Sequence, residues 1–338
     1  MKRKVAVVIL NYNGAEMLRT FLPTAVACSP QAEVIVADNC STDDSAKVMR
    51  EEFPHVRCIQ LTENHGFADG YNLALAQVEA EYFVLLNSDV EVTDGWLVPM
   101  LEYMDNNADV AACQPKLLSY KNKSEFEYAG AAGGFIDKYG YPFCRGRIFD
   151  TVECDKGQYD SVADLFWATG AALMVRSDDY RTVGGLDGTF FAHMEEIDLC
   201  WRLRSRGRRI VCIPQSVAYH VGGATLNKSN PRKTYLNFRN NLLMLYKNLP
   251  DEELRRTMFV RALLDYVAAF KSLLAGDVAG CRAIMQARRD YARTKGEYSV
   301  KRRENVEKCV VQEIKERVSF SILWKYYANG RRRFSELS

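Results

Sequence analysis

Over the first hundred residues, short apolar runs alternate with longer stretches in which apolar positions recur every three or four residues. The runs fall at 5–10, 33–37, 56–61 and 82–86, and the stretches between them, at 15–28, 43–52, 67–78 and 95–106, read as helices. Continuously apolar strands separated by helices predict a parallel sheet covered on both faces. Two more strands are expected at 171–175 and 209–213, on either side of a helix that begins near Glu195. From about 129 to 162 the pattern is irregular and rich in Gly and aromatic residues. A segment of that kind inside a domain is expected to be a functional flap, with "YAGAAGGF" as its lid. Pro250 breaks the pattern, and residues 251–338 read as helices of mixed amphipathic character. The expected fold is therefore α/β: a mostly parallel, Rossmann-like sheet in residues 1–250, then a helical extension in 251–338.

Parallel sheets of this kind bind ligands beyond the carboxyl ends of their strands. The first four strands end in "NYNG" (from Asn11), "DNCSTD" (from Asp38), "ENHGFADGYN" (from Glu63) and "NSDVEV" (from Asn87). Each cluster alone is ordinary turn and cap chemistry. Four of them on one edge of one sheet point to a polar ligand.

Composition narrows the class. With 338 residues, 48% hydrophobic and 26% charged, the chain suits one large domain with an appendage, and a net charge of +2 gives no argument for nucleic acid. The charge is uneven. Residues 251–338 carry 19 Lys and Arg against 12 Asp and Glu, leaving 26 against 31 in residues 1–250. Several of the ten cysteines (Cys58, Cys200, Cys212) sit in apolar runs and no C-x-x-C occurs, the pattern of buried reduced thiols in a cytosolic protein. "MKRKVAVVIL" is too short in its apolar part for a signal peptide, and no stretch approaches the roughly 18 apolar residues of a membrane span.

No G-x-G-x-x-G follows the first strand, no G-x-x-x-x-G-K-[ST] is present, and neither zinc-type His/Cys spacing nor a G-x-S-x-G elbow occurs. What remains is the sheet edge. Asp38 can accept a hydrogen bond from a base or a sugar hydroxyl. Asn64 and Asn72 flank Gly66, which lets backbone approach a ligand closely. Ser88, Asp89 and Glu91 follow the buried run "YFVLL" with no basic neighbour in sequence. A carboxylate so placed suits Mg2+ or Mn2+ holding a diphosphate. In "FFAHMEEIDLCWRLRSRG", Glu195, Glu196 and Asp198 open a helix that Arg204, Arg206 and Gly207 close. Acids in a first turn answer the helix dipole without any chemistry, and three beside two phenylalanines also suit a carboxylate of raised proton affinity.

Together "VVILNYNG", "VIVADNCSTD", "ENHGFADGYN", "LLNSDV" and "FFAHMEEIDLCWRLRSRG" resemble the inverting family-two glycosyltransferases of the GT-A fold, in the branch of the rhamnosyltransferases and galactofuranosyltransferases, over roughly residues 4–250. The resemblance implies transfer of a sugar from a nucleotide-diphosphate donor to a hydroxyl on a glycan or lipid-linked acceptor. It implies that Asn11 and Asn13 lie in the nucleotide loop with Asp38, Asn64, Gly66, Asn72 and Ser88. Asp89 stands as the second acid of a D-x-D metal motif whose first acid is Asn87 here, and His220 of "AYHVGG" completes the metal or diphosphate site. Glu196 is the implied base, with Glu195 and Asp198 as alternates, and Trp167 and Gly170 line the donor sugar and acceptor. Two other readings compete: a sugar-1-phosphate nucleotidyltransferase, and a non-catalytic glycan-assembly subunit. For the basic tail, "FVRALLDYVAAFKSLLAG" and "VSFSILWKYYANGRRRF" suit a helix at the inner face of the plasma membrane, while a helix packed on the catalytic domain and a homodimer interface are the alternatives.

Overall fold

The computed structural model describes residues 3–222, 230–311 and 313–337. The first half runs β1 (Arg3–Asn11), α1 (Ala15–Ala27), β2 (Ala32–Asp38), α2 (Ser45–Glu51), β3 (Arg57–Gln60), α3 (Gly66–Leu75), β4 (Ala80–Asn87), β5 (Val90–Val92), α4 (Leu97–Asn106) and β6 (Val110–Ser119). A set of short strands follows: β7 (Gly134–Asp137), β8 (Pro142–Cys144), β9 (Arg147–Ile148), β10 (Thr151–Val152) and β11 (Ala163–Asp164). Then come β12 (Ala172–Arg176), α5 (Ser177–Thr182), α6 (Glu195–Ser205), β13 (Arg209–His220), α7 (Pro231–Asn248), α8 (Asp251–Leu274), α9 (Val278–Thr294), α10 (Ser299–Glu307) and β14 (Arg317–Val318).

Nine strands form the main sheet, in the order β11-β13-β6-β12-β4-β1-β2-β3 with β5 pairing β13. β3, β2, β1 and β4 are mutually parallel, and β12 enters antiparallel between β4 and β6. The parallel half follows from its residues: Val5, Val7, Ile35, Val36 and Val84 are all fully buried or nearly so, as strands covered on both faces require. Apolar clusters lie on both sides of this sheet, one under α1 and α4 and the other under α3, α6 and α7.

Strand β6 was not expected, and its Pro115 explains why the run does not read as a central strand. The structure tolerates the proline at a register shift, where Ile213 faces Pro115 and the next pair is Val217 with Lys116. Beyond that shift β13 continues to His220, well past the expected end at 213.

The irregular region is a second sheet, ordered β10-β9-β8-β7-β14, and its last strand comes from the C-terminal extension. The "YAGAAGGF" segment is not a lid. Gly130 to Gly134 are buried, Leu117 N–H donates to the Ala131 carbonyl, and Gly134 packs under the Trp167 ring so closely that an added Cβ would lie 2.0 Å from it. All ten cysteines are free thiols; Cys200 and Cys212 are buried, whereas Cys58, expected inside, is exposed.

Candidate active site

Asn11, at the end of β1, donates from Nδ2 to Asp38 Oδ1 at 2.9 Å and to Ser41 Oγ at 3.2 Å. Asp38 is fully buried and also accepts from Ser41 Oγ at 2.6 Å, Ser41 N–H at 3.0 Å and Gln60 Nε2 at 2.8 Å. Its acceptor sites are therefore taken by protein. Asp38 braces the ends of three strands instead of standing open to a base or ribose, as the sequence led us to expect. Asn13, exposed and at φ 52°, accepts from Thr42 N–H at 2.7 Å and ties the first two loops together. Asn11 Oδ1 is buried without a partner, and a Cβ on Gly14 would lie 2.4 Å from it and 3.7 Å from Ser88 Oγ, so the first loop presses on the fourth.

The third loop is more inward-looking than expected. Asn64 Oδ1 accepts from Gly66 N–H at 2.9 Å and from Asn39 Nδ2 at 3.1 Å. Gly66, at φ +72°, allows close approach, but what approaches is Phe191: an added Cβ would meet its ring at 2.5 Å, and the Phe191 carbonyl accepts from Phe67 N–H at 2.6 Å. Asn72 donates to the Leu186 carbonyl at 2.8 Å and accepts from Tyr180 OH at 2.7 Å, so it locks α3 to the segment before α6 and has no capacity left for a nucleotide.

Asp89 and His220 do meet. Pairing of β5 with β13 sets His220 opposite Val90, and the imidazole Nε2 lies 3.1 Å from Asp89 Oδ1. Its Nδ1 lies 3.2 Å from Oε1 of Glu127, a residue the sequence did not single out, whose other oxygen accepts from Ala129 N–H at 2.5 Å. All three side chains are buried. Burial works against charge on His220, but Asp89 and Glu127 outweigh it and raise the imidazole to about 10. With Nε2 and Asp89 Oδ1 3.1 Å apart, the two could ligate a divalent cation only after the ion displaces the imidazole proton that Asp89 now accepts, phosphate oxygens and water filling the other positions. Among the described residues no group of three or more His, Cys, Asp or Glu could hold a metal by itself, so a donor diphosphate would be part of any such site. Of the "AYHVGG" motif, Gly223 lies outside the described residues.

The three acids of α6 separate into different roles. Asp198, fully buried, accepts from Arg202 Nε at 2.9 Å, Lys247 Nζ at 2.8 Å and Asn248 Nδ2 at 2.8 Å. A carboxylate so held is structural, which removes Asp198 as an alternate base. Glu195 and Glu196 have no cation partner among the described residues, and each has a buried Oε2 without a hydrogen bond. Burial, then the charge of Glu196 beside it, drives Glu195 well above the ordinary carboxylate range. Glu196 is pushed up to about 7 by burial. Of the two, Glu195 is the more enclosed at 4% exposure, whereas Glu196 keeps an open side.

The chain reaches these acids through a strained loop. Phe191, His193 and Met194 have φ of 65°, 71° and 74°, which non-glycine residues seldom adopt. Asn240 of α7, fully buried, holds this loop: its Nδ2 lies 2.9 Å from the Phe190 carbonyl, 2.9 Å from Ala192 and 2.8 Å from His193. Arg239 adds a bond to the Thr189 carbonyl at 2.9 Å.

Trp167 is a core residue, not a lining one: it is 2% exposed and donates from Nε1 to the Phe135 carbonyl at 2.9 Å. Gly170 lies beside Glu196. A Cβ there would lie 3.2 Å from the Phe67 ring and 3.7 Å from Glu196 Cβ, so any larger residue would narrow the space beside Glu196. The next residue, Ala171, accepts from Asn87 N–H at 2.9 Å, which joins this wall to the loop bearing Asp89. The sequence pointed to neither Asn39, Ser41, Glu127 nor Asn240. Ser41 and Asn39 sit inside quoted clusters, but Glu127 and Asn240 matter only through partners far along the chain.

Residues 6–149 match the family described as glycosyl transferase family 2. Over 228 residues the chain is 26% identical to the O-antigen biosynthesis protein RfbC of Myxococcus xanthus, a match covering 66% of this chain but only 18% of that protein. Over 231 residues it is 26% identical to the N-acetylglucosaminyl-diphospho-decaprenol L-rhamnosyltransferase of Mycobacterium tuberculosis, covering 63% of this chain and 75% of the relative. In three dimensions it is similar to GalNAc-T7, crystallised with UDP, GalNAc and Mn2+, at a TM-score of 0.58 and 14% identity over 88% of this chain and 56% of that one. That likeness shows the fold alone, and it is the GT-A fold. With the sheet edge, the Asp89–His220 pair and the acid-bearing helix in the expected order, residues 6–149 carry the family-two glycosyltransferase pattern, and rhamnosyltransferases are among the proteins to which the chain is similar.

Proposed function

We propose that this enzyme moves a sugar from a nucleotide-diphosphate donor to a hydroxyl of a glycan or lipid-linked acceptor, with inversion at the anomeric carbon and Glu196 as the general base. The supporting observation is the state of Glu196: partly buried, raised to about 7, without a cation partner among the described residues, and with its Cβ beside the space that Gly170 leaves open. Glu196 takes the proton of the acceptor hydroxyl as its oxygen bonds to the anomeric carbon. The bond from that carbon to the diphosphate breaks on the opposite face, and the nucleoside diphosphate departs with the electron pair. Asp89 and His220 are the residues that would hold Mg2+ or Mn2+, which supplies countercharge for the departing diphosphate. Glu195, enclosed beside the base, keeps its proton and so spares Glu196 a second negative charge. Asn13, Ser41 and Ser88 form the rim on which the nucleotide rests, with Asn11 bracing Ser41 from beneath. The relatives' printed activities make a rhamnosyl or other hexosyl donor, and a role in cell-surface polysaccharide synthesis, the favoured reading.

The test is a panel of nucleotide sugars offered with Mg2+ or Mn2+ and a mixture of hydroxyl acceptors, read as nucleoside diphosphate release. Release that depends on the acceptor and collapses in Glu196→Gln is expected. Pyrophosphate formation from a sugar 1-phosphate and a nucleoside triphosphate would replace this reading with the nucleotidyltransferase one, and no turnover with any donor would favour a non-catalytic subunit.

A further inference from the structure

Helix α8 is inside out. Its inward face carries Arg261, which is 2% exposed, and Asp265, which is fully buried. Arg261 donates to the Tyr139 carbonyl at 2.9 Å and to Asp265 Oδ1 at 3.1 Å, and Arg288 of α9 donates to Asp265 Oδ2 at 2.6 Å. The outward face carries Phe259, Leu263, Val267, Phe270 and Leu274, spaced at three to four residues, each between 53% and 73% exposed. An ordinary surface helix buries its apolar stripe and turns charge to water. Here the polar face does the packing, and the apolar stripe has no partner among the described residues.

The stripe is continued by another segment. Lys271 Nζ lies 5.2 Å from the centroid of the Tyr327 ring, so the helical turn at Trp324–Ala328 adjoins the C-terminal half of α8. Trp324 is 66% exposed and Tyr327 57%. Cations rim this surface: Lys271, then Arg331, Arg332 and Arg333, all exposed. Two of the acids in the first turn of α8 are neutralised, Asp251 by Arg302 and Glu253 by Arg317.

We propose that this face docks on an anionic lipid bilayer, with α8 lying in the plane of the headgroups. An apolar stripe bordered by Lys and Arg, with Trp and Tyr beside it, meets both requirements of such a surface, acyl chains below and phosphate around. Among the described residues no helix is long and apolar enough to cross a membrane, so the contact is lateral. A second copy of the chain fits less well, because a two-fold contact sets the same cationic rim against itself.

The experiment uses the full chain. It should float with vesicles of phosphatidylcholine and phosphatidylglycerol in low salt, and much less with phosphatidylcholine alone or in high salt. Trp96, Trp167 and Trp201 are 1–3% exposed, so lipids brominated in the acyl chain should quench Trp324 selectively, and Trp324→Phe should remove that quenching. The double variant Phe259→Ser, Phe270→Ser should lose flotation while keeping the wild-type melting temperature and nucleotide-sugar turnover in solution. Recovery of the wild type wholly in the soluble fraction would overturn the proposal. So would sedimentation as a dimer that the double variant converts to monomer without any vesicle binding, which would give the face to a second copy. Vesicle binding is read without sugar transfer, so its failure leaves the catalytic reading untouched.

Discussion

Asn240 Nδ2 donates to the carbonyl of His193 at 2.8 Å, across 47 residues of chain, and two further carbonyls of the same loop share that nitrogen. The loop ends at Glu195, where α6 begins, so the direction of the Glu195 and Glu196 carboxylates depends on an amide in α7. Asn240→Ala leaves three carbonyls short of a donor and frees residues held at positive φ. We expect kcat to fall by about 10²-fold, the scale of an ångström-sized misplacement, with the donor KM little changed. Steady-state kinetics checks this; an unaltered kcat would show that the loop holds its shape unaided.

Glu196→Gln should lower transfer by roughly 10²–10⁴-fold while calorimetric affinity for the donor nucleotide is retained. A base must be unprotonated to act. Because burial raises Glu196 to about 7, kcat/KM of the wild type should climb as pH rises through neutrality and then level. A profile already flat from pH 5 upward would assign the base elsewhere.

Glu127 touches His220 on the side away from Asp89 and fixes the ring. Glu127→Gln should weaken Mn2+ binding in the presence of nucleoside diphosphate by about 10- to 100-fold, the usual effect of losing a carboxylate behind a ligand histidine. Asp89→Asn should abolish the dependence of nucleotide binding on divalent ions. Electron paramagnetic resonance of bound Mn2+ reads both variants without turnover.

Lys247 bridges Asp187 at 2.6 Å and Asp198 at 2.8 Å, all three buried, and Lys301 reaches Asp187 from α10 at 2.8 Å. Lys247→Met leaves two carboxylates short of their common cation and should cost about 3–5 kcal/mol of stability, read by denaturant unfolding. Burial alone would raise Asp187, but Lys247 and Lys301 more than offset it and hold the group well below the usual carboxylate range. Its contribution is therefore complete above the unfolded carboxylate value of about 3.9 and disappears as pH falls below it. The wild type should lose stability on acidification through that window, and Lys247→Met should lose less.

The parallel half of the sheet was legible because its strands are buried on both faces and read as unbroken apolar runs, and the polar residues that end them mark the ligand edge. The register that carries His220 to Asp89 was not legible, since it depends on a bulge opposite Pro115, and a proline mid-run reads as a break. Asp198 and Glu196 looked alike as acids of one first turn. What separates them is Lys247, 49 residues downstream, and no local pattern reports it. Asp38 and Asn72 drew notice for the right chemistry, hydrogen bonding at a strand end, but their partners are Ser41, Gln60, Tyr180 and Leu186. Gly130 to Gly134 suggested mobility, whereas those glycines are there so that backbone can lie flat beneath Trp167, Leu165 and Thr169.

The small second sheet acquires its outer strand from Arg317–Val318, and Phe334 packs on Phe135 with ring centroids 4.9 Å apart. Roughly two hundred residues must therefore be synthesised after β7 before the wall that Gly134 and Trp167 share is closed. A ribosome paused anywhere in α8 to α10 holds a chain whose main sheet has all its strands and whose second sheet lacks its outer one. Until Phe320 and Phe334 arrive, Phe135 and Phe143 lack their apolar cover, and the nascent chain is the species that chaperones must shield.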